Sequence, residues 1–347
     1  MNEVTVEPRS IEQLETLLTA ILVGAGAAPD DASVVAKEVV DAEARGYESQ
    51  GVMRVTSYVA AARNGATVSP TELELLRESP SAVVWDAHHG WGHVAALRAM
   101  EECARRAKAT GSCIGTIRNA GHIGRLGYYV EAAAELGVIG FIACSGNMSS
   151  ATVAPWGGRE PRLSTNPFAF GFPYPDGDNV VIDVSTTQAA RGKVLVAAAT
   201  GKTIPETWAF DAAGSPTTDP NAALPPNGTL APIGGHKGYA LSIAVELLCG
   251  ALGGAYPPSE STVFVAVYDL AHLTTPAEYT GAVHAVDELM RSSALRPGFA
   301  DVRLPGSGSG ERRRQAEAAG VTVTPQIWQA LCDAAESVGV ELPSDPA

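Results

Sequence analysis

The chain has few charges for its length, and few of those are cationic. Charged residues make up 18% of its 347 residues, and the formal net charge is −14. With no surplus of cations to displace counterions, a nucleic acid or an anionic membrane is excluded as a partner. A small anionic substrate needs only one or two local cations and stays possible. Cysteine is scarce too: Cys103, Cys113, Cys144, Cys249 and Cys332 form an odd set without a C-x-x-C pair. Each lies among apolar residues, which predicts buried thiols in a reducing compartment rather than a disulfide framework. No apolar run reaches the ~20 residues that span a bilayer. The segment Met1–Pro8 carries Glu3 and Glu7 and lacks the apolar centre of a signal peptide, so a cytoplasmic protein is expected. A phosphate fingerprint is missing as well. Gly306, Gly308 and Gly310 do not have the G-x-G-x-x-G spacing and fall near the C-terminus, and no Walker A sequence occurs.

What is present describes a globular chain long enough for two domains and for a large core that needs no disulfide or metal staple. Gly and Pro lie between periodic segments and read as turns. Ser10 caps a predicted helix with Leu14, Leu17, Leu18 and Ile21 on one face; Asp30 or Asp31 opens a second that Gly46 ends; a third runs from about Gly51 to Arg63. Beyond Pro70 strands are expected at Ala82–Trp85, Cys113–Ile117, Val138–Cys144, Val180–Val184 and Thr262–Tyr268. Helices are expected at Val94–Lys108, Tyr128–Leu136, Gln188–Ala199, His236–Leu252 and Ala277–Ser292. Asp301–Leu304 reads as extended, two helices near Glu311–Ala319 and Pro325–Val338 close the chain, and Ser215–Pro232 reads as one long loop. The alternation predicts an α/β (α+β) protein: a helical domain over 1–75, completed by 307–347, beside a two-layer α/β domain over 76–306.

Five segments carry candidate chemistry. Arg54 stands one helical turn after Ser49 and Gln50 and one turn before Tyr58, spacing that puts Ser49, Arg54 and Tyr58 on one helix face if the helix is continuous. A guanidinium so placed grips a carboxylate through paired hydrogen bonds; otherwise it is a solvated surface arginine. His122 sits between Gly121 and Gly124 just after a buried strand, where the glycines let the ring approach a ligand, or else it is structural. Thr165, Asn166 and Pro167 form a turn. Asp183 ends a strand and is followed by Ser185 and Thr186, a setting that also suits a helix N-cap. His236 and Lys237 open a helix whose N–H groups suit a phosphate or carboxylate, or are an ordinary charged first turn. The run Gly306–Gly310 enters a predicted helix, either as a phosphate turn or as a flexible loop.

Taken in order along nearly the whole chain, these segments resemble the lactate/malate dehydrogenase-2 family, whose members act on malate, sulfolactate, ureidoglycolate, diketogulonate and cyclic imino acids. The resemblance implies an NAD- or NADP-binding fold that is not of the Rossmann type, and a homodimer with its active site near the subunit interface. It implies that Ser49 and Arg54 hold a small carboxylate substrate. It implies cofactor contacts at Thr165, Asn166, Pro167, Asp183, Ser185, Thr186, His236, Lys237, Gly306 and Ser307. Catalytic groups would be His122, Asp183, Tyr58 and the residue at position 50.

Two departures stand out. The family usually reads Ser-His-Gly-Val at its first motif, with the histidine as proton donor, and here Gln50 takes that place. An amide hydrogen-bonds but transfers no proton at useful pH. His122 is the leading substitute, Tyr58 the second, and His93, after Gly92 where relatives often have Gly-Gln, the third. A 2-imino acid is an attractive substrate, since an iminium already carries its proton. Ser307 and Gly308 replace an acidic residue that relatives place after Pro-Gly, which leaves NAD against NADP open. The competing class is a non-redox lyase, isomerase or cyclase on the same scaffold, with His122 as acid/base; a non-catalytic binding protein is a third.

Overall fold

The computed structural model describes residues 7–146, 148–254 and 261–342. Three helices lead: α1 (Ile11–Gly24), α2 (Pro29–Ala44) and α3 (Val55–Arg63). Ser10 and Gln13 form a capping box at the start of α1. Helix α2 begins at Pro29, ahead of the expected aspartates, because proline is preorganised for the first helical position. These helices close an apolar core with α10 (Pro325–Ser337), built on Leu14, Leu18, Val35, Val39, Val55 and Leu331.

Among the described residues, nine strands follow the helical opening. They are β1 (Glu74–Ser79), β2 (Ala82–Asp86), β3 (Ser112–Ala120), β4 (Val138–Ser145), β5 (Phe168–Phe172), β6 (Val180–Val184), β7 (Ala209–Asp211), β8 (Gly228–Leu230) and β9 (Ser261–Asp269). Seven make one sheet in the order β1-β2-β3-β9-β4-β5-β6, in which only β2 and β3 run parallel. Strand β9 is central and nearly continuous in Val and Phe because both its faces are covered. On one face lie α4 (Gly92–Thr110) and α5 (Leu126–Glu135), with Ala95, Ala96, Ala99 and Ala133 against the sheet. Gly171 of β5 lets α5 come close, since a side chain there would meet Val130 O at 2.2 Å. On the other face, Val245 and Cys249 pack on Ala143, Phe264 and Ala266. The remaining helices are α6 (Arg191–Ala199), α7 (His236–Glu246), α8 (Pro276–Arg291) and α9 (Ser307–Ala319).

Several expectations change. Strands β1 and β5 were not foreseen: β1 is exposed at a sheet edge, and β5 is interrupted by Gly171. The stretch Ser215–Pro232 is not one loop but contains β8, paired with β7. Asp301–Leu304 joins no strand. Helix α7 passes into a π-helical turn at Leu247–Ala251. Helix α9 begins at Ser307, so the glycine run is its first turn rather than a loop before it. Gly51 adopts an extended conformation (φ −84°, ψ −151°) and splits the third predicted helix. Ser49 therefore sits in a separate 3₁₀ turn, Glu48–Gln50, and does not share a helix face with Arg54. No helix among the described residues is long and apolar enough to cross a membrane.

Candidate active site

Arg54 and Tyr58 reach His122 from opposite sides. The Arg54 Nη2 donates to His122 Nε2 at 2.9 Å, and the Tyr58 hydroxyl lies 2.8 Å from His122 Nδ1. Arg54 ends the 3₁₀ turn that leads into α3, and Tyr58 is one turn on, so this part of the sequence pairing holds. His122 lies in the loop between β3 and α5. That loop reaches its place because Gly92, Gly121 and Gly124 have no side chains. A carbon on Gly92 would stand 2.2 Å from Gly121 O, and one on Gly124 (φ +61°) would stand 2.4 Å from Glu38 Oε2. The glycines around His122 thus allow close packing of its loop against α4 and α2.

These side chains border a cavity of about 310 Å³ whose walls include Tyr58, Trp91, His93 and Ser261. Desolvation, reinforced by the Arg54 charge, presses the His122 imidazole well below its usual range. Desolvation also raises the Tyr58 phenol, with nearby Glu38 adding to the rise. His93, the third-ranked proton donor, is buried behind Tyr58, its Nε2 3.2 Å from the hydroxyl, and is pushed down to about 3 by desolvation and by Arg54.

Behind this pocket lies a polar layer that sequence reasoning missed. Glu38 Oε1 accepts from Arg125 N at 2.6 Å, and Glu38 Oε2 is 3.6 Å from His93 Nε2. The Arg125 guanidinium pairs with Asp41 at 2.8 Å and Glu131 at 2.5 Å. Desolvation pushes the Glu38 carboxyl up to about 8 despite Arg125. The available signal was α2 itself, an apolar helix interrupted by Glu38, Asp41 and Glu43, all buried.

The other sequence candidates gather elsewhere. Thr165 O accepts from Thr186 N and from its hydroxyl, and Thr186 O accepts from Ile233 N. Ser185 Oγ lies 2.8 Å from Thr187 Oγ1. Asn166, fully buried at φ 36°, donates to Ser242 O and to Glu246, which ties its turn to α7. Its Oδ1 has no partner among the described residues. Pro167 O accepts from Cys144 N and seats the turn on β4. His236 and Lys237 are exposed at the start of α7, and the His236 ring packs edge-on to Trp156. Asp183 accepts from Gly127 N at 2.7 Å, so it caps α5 from another strand rather than a helix of its own, and desolvation raises its carboxyl. Gly306 (φ +100°) packs on Asn179 and Val181, while Ser307 Oγ donates to Leu304 O. Ser49 lies against Gly192 of α6, and Gln50 Oε1 is buried with no partner among the described residues. The structure thus joins Arg54, Tyr58 and His122 directly, and it links Thr165, Asn166 and Thr186 to the later half of α7 and to Ile233 before that helix. It brings neither Gln50 nor Ser49 into hydrogen-bond contact with His122.

Comparison with known proteins identifies the family. The family model for malate/L-lactate dehydrogenase matches residues 9–332. The L-sulfolactate dehydrogenase of Methanothermobacter thermautotrophicus is 32% identical over 345 residues, covering 96% of this chain and 98% of that protein. The Delta(1)-pyrroline-2-carboxylate reductase of Ancylobacter novellus is 33% identical over 336 residues, covering 93% and 96%. The solved structure of sulfolactate dehydrogenase from Methanocaldococcus jannaschii superposes with a TM-score of 0.87 at 29% identity, covering 96% of this chain and 98% of that one. The chain belongs to the malate/L-lactate dehydrogenase family, and with it to the NAD(P)-dependent dehydrogenases and reductases.

Proposed function

We propose that the protein reduces a small 2-oxo or 2-imino acid with NADH or NADPH, binding the substrate carboxylate through Arg54 and protonating the product from His122. The observation that carries this reading is the 2.9 Å contact of Arg54 with His122 at the wall of the cavity. Arginine only donates, so this contact occupies the Nε2 lone pair, and while it lasts Nε2 carries no hydrogen to give a substrate. A carboxylate drawing Arg54 to itself frees Nε2 to carry a hydrogen toward the substrate oxygen or nitrogen. Gly124 N, 3.2 Å from Nδ1, favours that tautomer by donating to the other ring nitrogen.

The orphaned Asn166 Oδ1 fits a dinucleotide, because a buried acceptor without a donor suits the carboxamide N–H of nicotinamide. Thr165, Asn166, Pro167, Asp183, Ser185, Thr186, His236, Lys237, Gly306 and Ser307 would hold the cofactor, with Lys237 and the first turn of α7 suited to phosphate. When bound, the nicotinamide supplies the hydride. Asp183 fixes the α5 start through Gly127 and thereby the loop that carries His122. Gln50 leaves proton donation to His122, with Tyr58 behind it. This favours a substrate that brings its own proton, and the similarity to a pyrroline-2-carboxylate reductase supports the imino-acid branch.

A homodimer in a reducing, cytoplasmic compartment completes the reading. Helix α8 buries none of its residues among those described, yet Val286, Leu289 and Met290 are apolar and exposed, with Leu295 and Phe299 beyond it. Cys103, Cys113 and Cys249 are buried free thiols. Residues 1–75 with 307–347 are taken as the helical domain and 76–306 as the α/β domain. The test is oxidation of NADH and NADPH with pyruvate, oxaloacetate, pyrroline-2-carboxylate and piperideine-2-carboxylate. Turnover of at least one, lost in His122→Ala, supports the reading; cofactor binding without any oxidation refutes it.

A further inference from the structure

We propose that Glu38 is the proton reservoir of the site, resupplying His122 through His93 and Tyr58. This rests on His122 being the proton donor. A substrate held by Arg54 covers the Nε2 side of the ring, the side open to the cavity. The Nδ1 side faces inward, onto a chain that runs away from solvent: Tyr58 is 6% exposed, His93 1% and Glu38 0%. The steps are 2.8 Å from His122 Nδ1 to the Tyr58 oxygen, 3.2 Å on to His93 Nε2, and 3.6 Å on to Glu38 Oε2. Only the last exceeds a hydrogen bond. It closes with about 0.5 Å of movement, and His93 Nδ1 has no partner among the described residues to resist it.

The transfer balances. His122 gives its Nε2 proton to the substrate oxygen or nitrogen. Its Nδ1 takes the Tyr58 hydroxyl proton, while neutral His93, with its own hydrogen on Nδ1, accepts the Glu38 carboxyl proton at Nε2 and passes that proton from the same nitrogen to Tyr58. No charged intermediate remains in the chain. The only new charge is the Glu38 carboxylate, already met by the Arg125 N–H and facing its guanidinium. The charges and titratable groups around Glu38 are Asp41 on its own helix, Tyr58 on α3, His93 on α4, Arg125 before α5, Tyr128 and Tyr129 on α5, and Asp183 on β6. Held up to about 8, Glu38 keeps its proton at neutral pH, while His93, held down to about 3, stays neutral and can pass one on. A purely structural Glu38 would need only an acceptor for Arg125 N, which glutamine also provides.

Glu38 and His93 act through Tyr58 and His122, so both are positioning residues. The first readout needs no turnover: ¹⁵N-histidine NMR of the full chain between pH 6 and pH 9.5. Ionisation of Glu38 near pH 8 should shift the ring nitrogens of both His93 and His122. Glu38→Gln should flatten both responses, and Tyr58→Phe should keep the His93 response while abolishing that of His122. The Tyr58→Phe comparison stands alone if Glu38→Gln does not fold. The second readout is NADH and NADPH oxidation with pyrroline-2-carboxylate and pyruvate. In the native protein kcat should fall above pH 8. With pyruvate, Glu38→Gln and His93→Gln should lower kcat about tenfold or more, leave KM unchanged and remove that limb. Histidine shifts indifferent to pH in the native protein, or a native pH profile in both variants, would overturn the relay. Absence of turnover with either probe counts against the proposed activity, and the NMR result alone then decides the relay.

Discussion

Replacing Glu38 by glutamine should change how stability responds to pH, in a direction the structure fixes. In the folded protein Glu38 holds its proton up to about pH 8, whereas an unperturbed glutamate releases it near 4.5. Its contribution to stability is therefore fully present below pH 4.5 and is lost as pH rises through 8. Each pH unit inside that window is worth about 1.36 kcal/mol, so raising the pH from 5 to 9 removes about 4 kcal/mol from the native protein. The variant lacks the group and loses nothing by this route. With about 2.1 cal/mol/K of unfolding entropy per residue, 4 kcal/mol corresponds to about 5 °C in a chain of this size. Scanning calorimetry at pH 5 and pH 9 should show the Tm of Glu38→Gln gaining about 5 °C relative to the native protein between the two conditions. His93 acts oppositely: held down to about 3, its contribution is lost as pH falls below 6.5, and it is common to both proteins. A Tm difference that stays constant from pH 5 to pH 9 would mean that Glu38 ionises as an ordinary carboxylate, and the reasoning about its burial would be wrong.

Three further perturbations probe the pocket. Arg54→Ala should lower kcat/KM for a carboxylate substrate by about 10- to 100-fold, the worth of a charged hydrogen bond. It should also raise the His122 pKa, visible by NMR, because the guanidinium is one of the groups pressing it down. Gly124→Ala should cost more than about 1 kcal/mol, seen as a lower Tm, since its φ is +61° and its new methyl group would meet the Glu38 carboxylate. Gln50→His should raise pyruvate reduction by about tenfold or more relative to pyrroline-2-carboxylate reduction, by adding a donor that an oxo acid needs and an iminium does not.

Much of the scaffold was legible because its signals are local. Ser10 with Gln13, Gly111 in a left-handed conformation after α4, and the Val- and Phe-rich β9 each announce an element boundary or a buried strand without reference to the rest of the chain. Strand β1, exposed and without alternation, carries no such signal. The pairing of Arg54 and Tyr58 was readable from spacing, but Ser49 was misplaced because the backbone turn at Gly51 is set by contact with Glu43, whose Oε2 also accepts from Val52 N. The convergence of His122 on Arg54 followed from family resemblance, not from separation along the chain, which is 68 residues. The layer of Glu38, Arg125, Asp41 and Glu131 stayed hidden for a physical reason. Buried charges compensate one another only across elements, and one helix shows just its own acids, not the arginine that meets them.

Hydride transfer can be followed atom by atom. With NADH or NADPH carrying two deuterons at C4 and pyrroline-2-carboxylate or pyruvate as acceptor, the account predicts product deuterated at C2 and, with pyruvate, a loss of at least about 100-fold in rate for His122→Ala with cofactor affinity retained. Product without deuterium, or full turnover of pyruvate by the His122→Ala protein, would contradict it.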